Sequence, residues 1–349
     1  MRKISPKIAI DGKSVEYLEG SYNNTGGGKA AELEFSLPLT YGGSTKLWNK
    51  EVTLFLNESD STPLFRGWIK RAQPTFNDIT ILAMDALGYL VKGGDSEKAK
   101  IQLTDTDNLD GLTASAAIVA ALKKAKLNTK LGTDFIGDTS PRVSSSNPPL
   151  RGTMGVEEII TFLISKAIDE SGTLPRPNIY KLLDDGSQSQ LIIELEADVD
   201  TAQINHIYTE DDNIVSLSIN EKKIPTIINV TGQGVMGTFS HDSAITALDR
   251  NYLEVSNDNL KSPAECVEFG RKVFEANLKN QYEYAIEVAE GEYLMENDVV
   301  RVETENRDYS GNYRVIGKSI SFSPSSYDIG IVINRKPPTL AEYIGSRDN

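Results

Sequence analysis

The sequence has one cysteine, Cys266, and only two histidines, His206 and His241. A single thiol excludes an internal disulfide and any zinc site that needs two thiolates. Two imidazoles leave few ways to build a histidine-based active site. No stretch approaches the roughly 18–20 apolar residues of a membrane span. Residues 1–12 contain no hydrophobic region, so we expect no secretory signal peptide and a soluble protein made in a reducing cytoplasm.

Basic residues are also in short supply. The 349-residue chain has 36 Lys and Arg against 50 Asp and Glu, a net charge of −14. This balance argues against a non-specific nucleic-acid binder, which needs clustered basic side chains to neutralise phosphates. The excess is uneven, because residues 173–260 carry 5 basic and 14 acidic side chains, whereas residues 1–95 carry 11 of each.

Changes in residue pattern along the chain divide it into four segments. Residues 1–95 predict an N-terminal β-barrel, and residues 96–172 a helical insertion that contains a polar loop at 134–151. Residues 173–260 form an acidic β-rich or mixed segment. Residues 261–349 predict a capped helix, a C-terminal β-barrel and a tail. The predicted fold class is therefore mainly β with α insertions: two small antiparallel β-barrels joined by helical and mixed segments.

The strands are predicted from alternating apolar and polar residues between turn clusters. In the N-terminal segment they lie at 33–37, 52–56 and 75–82, and near the end of the chain 312–316 and 319–323 predict two further strands. Around residues 232–237 the surrounding pattern predicts antiparallel strands. Short strands at regular spacing are typical of small barrels and sandwiches.

Three helices are predicted, at residues 114–125, 155–170 and 261–281. Thr113 is placed as the N-cap of the first, whose apolar residues recur at helical spacing. The third begins with Ser262, Pro263 and Glu265, which match a capping box with proline at its favoured first position.

Three short motifs resemble ligand loops but lack the context that these need. Gly232–Gly237 fits G-x-G-x-x-G, yet no helical stripe follows it, so we expect a flexible exit from a strand. Gly26–Lys29 lacks the Walker spacing and is predicted to be a hairpin tip. Asp105–Gly111 does not match the register of an EF-hand, and an acidic turn before a helix is the favoured interpretation.

No residue is predicted to be catalytic or to bind a cofactor or metal. Cys266 falls on the core face of its helix, which favours an inert buried thiol. The two histidines leave a spatially assembled triad open, although surface or loop positions are favoured. The carboxylate runs at 157–158, 184–185 and 210–212 are interpreted as solvated surface, since adjacent residues point apart.

Two stretches in the first half of the chain match a known pattern. L-F-R-G-W-I at residues 64–69, followed by D-I-T-I-L-A-M-D-A-L-G-Y-L at 78–90, fits an F-x-G-x-I strand and a second strand that ends in an acidic residue. Residues 155–172 fit a small helical module that follows them in that pattern.

Two later stretches continue the match in the same order. D-N-I-V-S-L at 212–217 and I-N-V-T-G at 228–232 fit a D-N-I-x-S-L and an N-x-V-x-V-x-G signature. Residues 262–278 and the segments between 296 and 333 fit a terminal helix and barrel. Over residues 1–336, the order and spacing resemble the phage tail hub family, which includes late control D-like hubs and those of Gram-positive prophages.

This resemblance implies a non-catalytic baseplate hub of a contractile phage tail or a related injection system. Such hubs form homotrimeric rings with two barrels per subunit, which join the tail tube to the trimeric spike. The implied partners are the spike, the tail tube or its initiator, a tape measure protein, and DNA only in transit. The implied location is the virion baseplate, after assembly in the host cytoplasm.

One turn departs from the family pattern, and two other functions remain open. The usual P-G-D turn is Glu296-Asn297-Asp298 here; asparagine tolerates left-handed geometry, so we expect the turn to be kept. A tail-associated cell-wall or glycan hydrolase is the first alternative. A carbohydrate-binding module is the second, if Trp48 or Trp68 lines a groove, although Trp68 is expected in the core. If the acidic segment lines the hub channel, its charge should keep passing DNA from adhering.

Overall fold

The structure is a computed structural model. The residues that it describes are 5–26, 29–41, 46–57, 60–88, 100–103, 112–127, 131–132, 152–156, 159–160, 178–184, 188–195, 197–221, 223–248, 250–257, 260–279, 282–305 and 309–335. The chain divides into two compact units. Unit 1 comprises residues 1–197, 288–298 and 316–331, and unit 2 comprises 198–287, 299–315 and 332–349. Each unit is therefore assembled from separate stretches of the chain.

Unit 1 is built on antiparallel strands from the first 85 residues. Its strands before residue 197 are β1 (Lys7–Ile10), β2 (Lys13–Val15), β3 (Gly20–Asn24), β4 (Glu32–Pro38), β5 (Glu51–Phe55), β6 (Phe65–Pro74), β7 (Asp78–Asp85), β8 (Lys100–Leu103), β9 (Leu131–Gly132), β10 (Gly152–Gly155), β11 (Asn178–Asp184) and β12 (Ser189–Leu195). The first seven follow the order β3-β4-β7-β6-β5-β1-β2, with β7 between β4 and β6. Two small sheets, β8 with β10 and β11-β12-β9, complete the described strands of this part.

The pairing of β6 with β7 depends on a glycine. A Cβ at Gly67 would lie 2.3 Å from the carbonyl oxygen of Met84 and 2.4 Å from the ring of Phe65. Both distances are far below ordinary contact, and one neighbour is backbone that cannot rotate away. The glycine of the F-x-G-x-I pattern is therefore required by the close approach of the two strands.

Helix α1 (Ala114–Lys124) packs into the core of unit 1 as its apolar periodicity predicted. The Thr113 side chain accepts a hydrogen bond from the backbone N–H of Ala116, which confirms the predicted N-cap. Ile118 and Leu122 are completely buried in a cluster that also contains Trp68. Val156, Ile159 and Ile160 begin the second predicted helix and are buried in the same cluster; its other residues lie outside the described ones.

Unit 2 combines parallel and antiparallel pairing. Its elements are β13 (Ile204–Thr209), β14 (Ile214–Glu221), β15 (Ile227–Thr231), β16 (Met236–Ser240), α2 (Asp242–Leu248), β17 (Tyr252–Ser256), α3 (Pro263–Lys279), β18 (Tyr282–Val288) and β19 (Val299–Glu303). Strand β13 pairs parallel to β19, and β15 pairs parallel to β17 but antiparallel to β16. The antiparallel pairing expected around residues 232–237 is observed between β15 and β16. Strand β17 is parallel to β15, because α2 carries the chain from β16 back to the other side of β15.

The last helix covers the sheet formed by β15, β16 and β17. Ser262 and Glu265 bond reciprocally, Glu265 N–H to Ser262 Oγ at 3.3 Å and Ser262 N–H to Glu265 Oε2 at 3.1 Å, which confirms the capping box. Strand and helix lie in close contact, since a Cβ at Gly237 would fall 2.7 Å from the Cβ of Cys266. Cys266 is fully buried, as predicted.

Two long strands close the described chain, β20 (Gly311–Phe322) and β21 (Tyr327–Arg335). Residues Gly311–Arg314 of β20 pair with β19 in unit 2, and Lys318–Phe322 pair with β3 in unit 1. The prediction of two strands, 312–316 and 319–323, is therefore wrong. The missing side chain of Gly317 lets β20 pass Asn24 without interruption, since a Cβ there would approach the Asn24 carbonyl oxygen to 2.8 Å.

The fold class is confirmed as mainly β with α insertions. The expected closure of two barrels is not observed, because no sheet among the described residues closes on itself. Helix α2 and strand β11 were not predicted. The boundaries at residues 95, 172 and 260 remain predictions. The 134–151 loop and the tail beyond residue 335 lie outside the described residues.

Gly67→Ala should destabilise the protein by about 1–3 kcal/mol, the usual cost of overpacking a well-filled site. The added Cβ must displace backbone of β7, since it would meet the Met84 carbonyl. Urea unfolding followed by circular dichroism measures the change. Gln73→Ala, an exposed position on the same strand, is the matched control. Equal unfolding midpoints for both variants would contradict the packing argument.

Candidate functional site

A cleft of about 480 Å³ lies entirely within unit 1. Tyr22, Arg66 and Lys318 line it from the strands, and residues 292–296 line it from the loop that enters unit 1 after β18. Its walls mix apolar side chains with charges of both signs. The distinguishing element of the cleft is the loop that forms one of its walls.

Lys318 fastens that loop to β20. Its side chain is buried, and Nζ donates hydrogen bonds to the carbonyl oxygens of Glu292 at 2.6 Å and Leu294 at 2.7 Å. Burial lowers the pKa of Lys318 to about 8, while the carboxylates of Glu292 and Asp298 oppose part of that shift. A buried ammonium is costly, so its two carbonyl partners offset the lost hydration.

Asn297 fastens the other end of the loop. Its φ of 76° is left-handed, which confirms that the E-N-D turn keeps the geometry expected for the usual glycine. Its Oδ1 accepts from the Ala197 N–H at 2.7 Å, and its Nδ2 donates to Glu194 at 2.8 Å. Asp298 closes the turn by accepting from the Met295 N–H at 2.8 Å.

Lys181 adds a third tether. Its Nζ forms an ion pair with Glu194 at 2.7 Å and donates to the carbonyl oxygen of Glu296 at 2.9 Å. The two lysines and the asparagine therefore bond to protein groups that position the loop. These bonds hold the loop in place as one wall of the cleft.

Two polar residues of the family-like motifs, Asp85 and Asn213, also bond to backbone groups. Asp85, the acidic end of β7, is buried and accepts from the N–H groups of Ala31 at 2.9 Å and Leu87 at 3.0 Å. Asn213, in the D-N-I signature, accepts from the Thr209 N–H at 2.8 Å and donates to the Ile207 carbonyl at 3.2 Å. The sequence pattern predicts no individual role for these side chains. The feature that could have identified them is a polar residue placed at a turn or strand end beside buried apolar residues.

The G-x-G-x-x-G motif forms the turn between β15 and β16. Gly232 N–H donates to the Val235 carbonyl oxygen at 2.8 Å, and Gly234 has a φ of 70°. The expected flexible exit is instead a hydrogen-bonded hairpin, because β16 continues directly from the motif and pairs back onto β15. The antiparallel pairing of β3 with β4 is consistent with the hairpin predicted at Gly26–Lys29; residues 27–28 lie outside the described ones. The Asp105–Gly111 stretch also lies outside them.

Both histidines have structural contacts. His241 caps α2, where its Nδ1 accepts from the Ala244 N–H at 3.4 Å, and its ring stacks on Phe274 with centroids 5.1 Å apart. The His206 ring packs 4.5 Å from that of Tyr208, and its Nε2 lies 3.4 Å from Asn213 Nδ2. These contacts account for both imidazoles as packing and capping groups.

The remaining candidates are distributed over the surface and the core. Residues 210–212 are exposed at the turn between β13 and β14, whereas 157–158 and the side chains of 184–185 are outside the described set. Trp68 is buried as expected, and Trp48 is 54% exposed. Over the described ranges, no group of three or more His, Cys, Asp or Glu is arranged to hold a metal ion. None of the described helices is both long and apolar enough to span a membrane.

The known proteins that share the fold of this chain were found among solved structures. No family model matches the sequence, and no curated protein matches it either. Solved structures of phage tail proteins match the chain, which has their fold. The resemblance to the tail hub family that the sequence pattern indicated is confirmed at the level of the fold.

Three of these structures cover almost the whole chain. A tail protein of Neisseria meningitidis matches with a TM-score of 0.66 and 12% identity, over 95% of this chain and 97% of that one. A 43 kDa prophage tail protein of Shewanella oneidensis matches with a TM-score of 0.66 and 10% identity, over 95% of this chain and 97% of that one. An Escherichia coli component of the type VI secretion system matches with a TM-score of 0.55 and 9% identity, over 95% of this chain and 77% of that one. That protein is itself structurally similar to T4 tail proteins.

Asn297→Ala should lower the free energy of unfolding by about 1 kcal/mol more than Asn297→Gly, since only alanine adds left-handed strain. Both variants lose the bonds to Ala197 and Glu194, so their difference isolates the backbone geometry. Urea unfolding of the two variants in parallel measures it. An alanine variant as stable as the glycine variant would contradict the requirement for positive φ.

Stability should rise by about 2 kcal/mol between pH 7.5 and 9.5 through Lys318. Its folded-state pKa of about 8 lies below the ordinary value, so over this range the unfolded chain binds more protons than the folded one. Folding becomes more favourable as the buried ammonium loses its charge. Urea midpoints across this range should rise for the native sequence and for Lys123→Met, an exposed control, but stay flatter for Lys318→Met. Identical profiles would refute the assignment.

Proposed function

We propose that this protein is the structural hub of a phage tail baseplate or of a related contractile injection system. Three copies would form a ring that joins the tail tube to the central spike. The observation that carries the proposal is the fold match, which spans 95% of this chain and 97% of two tail proteins. A match to one shared domain would leave large parts of either chain uncovered.

The polar tethers of the unit 1 loop support a mechanical role. Lys318, Asn297 and Lys181 bond to backbone and to neighbouring side chains of unit 1. A hub must keep its shape while neighbouring proteins push on it. Side-chain bonds that link separate stretches of chain resist local unfolding better than a loop held only at its ends.

The proposed partners are the trimeric spike, the tail tube or its initiator, and a tape measure protein. DNA would pass through the ring without specific binding. The acidic segment 173–260, with 14 acidic and 5 basic side chains, suits a channel wall because like charge repels phosphates. The proposed location is the tail tip of the virion, with assembly in the host cytoplasm. We propose no catalytic role for the hub.

Native mass spectrometry should detect a species of three times the 38.3 kDa chain. The reason is the closed ring that a hub must form around the tail axis. Labelled antibody on tail particles should mark the axis at the baseplate, and label on an unrelated capsid protein serves as the control. A stable dimer that turns over a small molecule or lyses peptidoglycan would contradict the hub.

A further inference from the structure

A fully exposed phenylalanine lies at the end of the hairpin formed by β6 and β7. Phe76 is 100% exposed, and Leu39, just beyond the end of β4, is 52% exposed. Leu39 lies near this turn because Pro38 pairs with Asp78. Residues 70–78 together with Leu39 are named the hairpin arm. Two large apolar side chains at one projecting end gain free energy when another molecule covers them.

The turn that presents Phe76 is held by its neighbours. Thr75 N–H donates to the Asp78 carbonyl oxygen at 2.8 Å, and Thr75 Oγ1 donates to Asp78 Oδ1 at 2.6 Å. The N–H groups of Asn77 and Asp78 both bond back to Thr75 Oγ1. The turn backbone at Phe76 is thus held in place, while none of the described residues covers the Phe76 side chain. Such preorganisation lowers the entropy lost on binding.

The arm also has an open and basic strand edge. Pairing of β5 with β6 ends at Trp68, and a register shift follows between Ile69 and Arg71. In the described residues, Arg71–Pro74 pair on one side only, with β7. Lys70 and Arg71 give this edge positive charge. An open edge can accept a further strand.

A complementary edge exists in unit 2 of every copy. Strand β14 pairs with β18 on one side, and the described strands provide no neighbour on the other. Val215 on β14 is 66% exposed. Residues 204–221 contain four carboxylates and no Lys or Arg, and three of the four lie at 210–212, where β14 begins. This edge therefore offers opposite charge, unpaired backbone and exposed apolar surface.

We propose that the hairpin arm of one copy binds along β14 of a second copy. The inference rests on the proposed function, because it assumes that copies assemble, and it names the contact between them. Charge complementarity selects the partner: Lys70 and Arg71 lie on the open edge of the arm, and three carboxylates, at 210–212, lie in the turn that precedes β14. The two surfaces differ, so the contact can repeat head-to-tail around an axis and close as a ring of copies, the arrangement that the proposed hub requires.

Cysteine cross-linking tests the contact directly, because Cys266, the only native cysteine, is buried. Arg71→Cys and Asp212→Cys in one chain should give covalent trimers on non-reducing gels after mild oxidation. Either substitution alone can give at most a dimer. Arg71→Cys combined with Ser256→Cys, an exposed position on β17, is the matched control pair. No more cross-linking by the test pair than by the control pair would overturn the proposal.

Sedimentation of variants separates this inference from the hub proposal. Phe76→Ser should weaken self-association about 30-fold, the loss expected for a buried aromatic anchor. Tyr252→Ser, which is 58% exposed on another sheet of unit 2, should leave it unchanged. Arg71→Glu and Asp211→Lys should each weaken it several-fold, and their combination should recover most of that loss.

Two outcomes would count against the contact in different ways. Full association of Phe76→Ser would overturn the arm contact and leave the trimer intact. No association of the unmodified chain at about 100 µM, far above the dissociation constants of specific complexes, would contradict both proposals. Circular dichroism of each variant shows whether it is folded, and no residue in the described ranges covers the side chain of Phe76.

Discussion

The fold depends on the bonds that hold the loop at residues 288–298 to unit 1 after the chain has passed through unit 2. Residues 288–298 belong to unit 1, although the 90 residues before them belong to unit 2. Side chains hold this insertion: a buried lysine on β20 bonds two of its carbonyls, and an asparagine within it bonds back to residues 194 and 197. Without these bonds, one wall of the cleft would consist of backbone with few partners.

Restrictions that the backbone places on a few positions explain how proteins can share this fold at about 10% sequence identity. The residues that carry the family-like pattern are those that backbone geometry restricts most. Gly67 permits a close strand approach, and Asp85 and Asn213 bond to backbone N–H groups. Asn297 departs from the family pattern but keeps the positive φ of its turn. Core positions accept several apolar side chains of suitable size, whereas these positions accept few alternatives. A sparse signature is therefore what the physics of this fold would preserve.

Local features were predictable from the sequence, and long-range ones were not. The caps at Thr113 and Ser262 and the burial of Trp68 and Cys266 follow from residue spacing within one turn or strand. The parallel pairing of β13 with β19 joins strands almost a hundred residues apart, which no short pattern encodes. Helix α2 spans only seven residues, too few to show a helical period. The role of Lys318 in the cleft was equally hidden, since a lysine within an alternating strand normally faces water.

The interleaving of the two units has a consequence during synthesis. Gly20 pairs with Phe322, so β3 leaves the ribosome long before its partner on β20 has been translated. At the rate of roughly 5–20 residues per second at which chains emerge, the edge of β3 waits many seconds unpaired. Neither unit can be completed by its N-terminal part alone, because each includes residues from beyond position 298. The nascent chain therefore exposes an unpaired edge of β3 until translation is nearly finished.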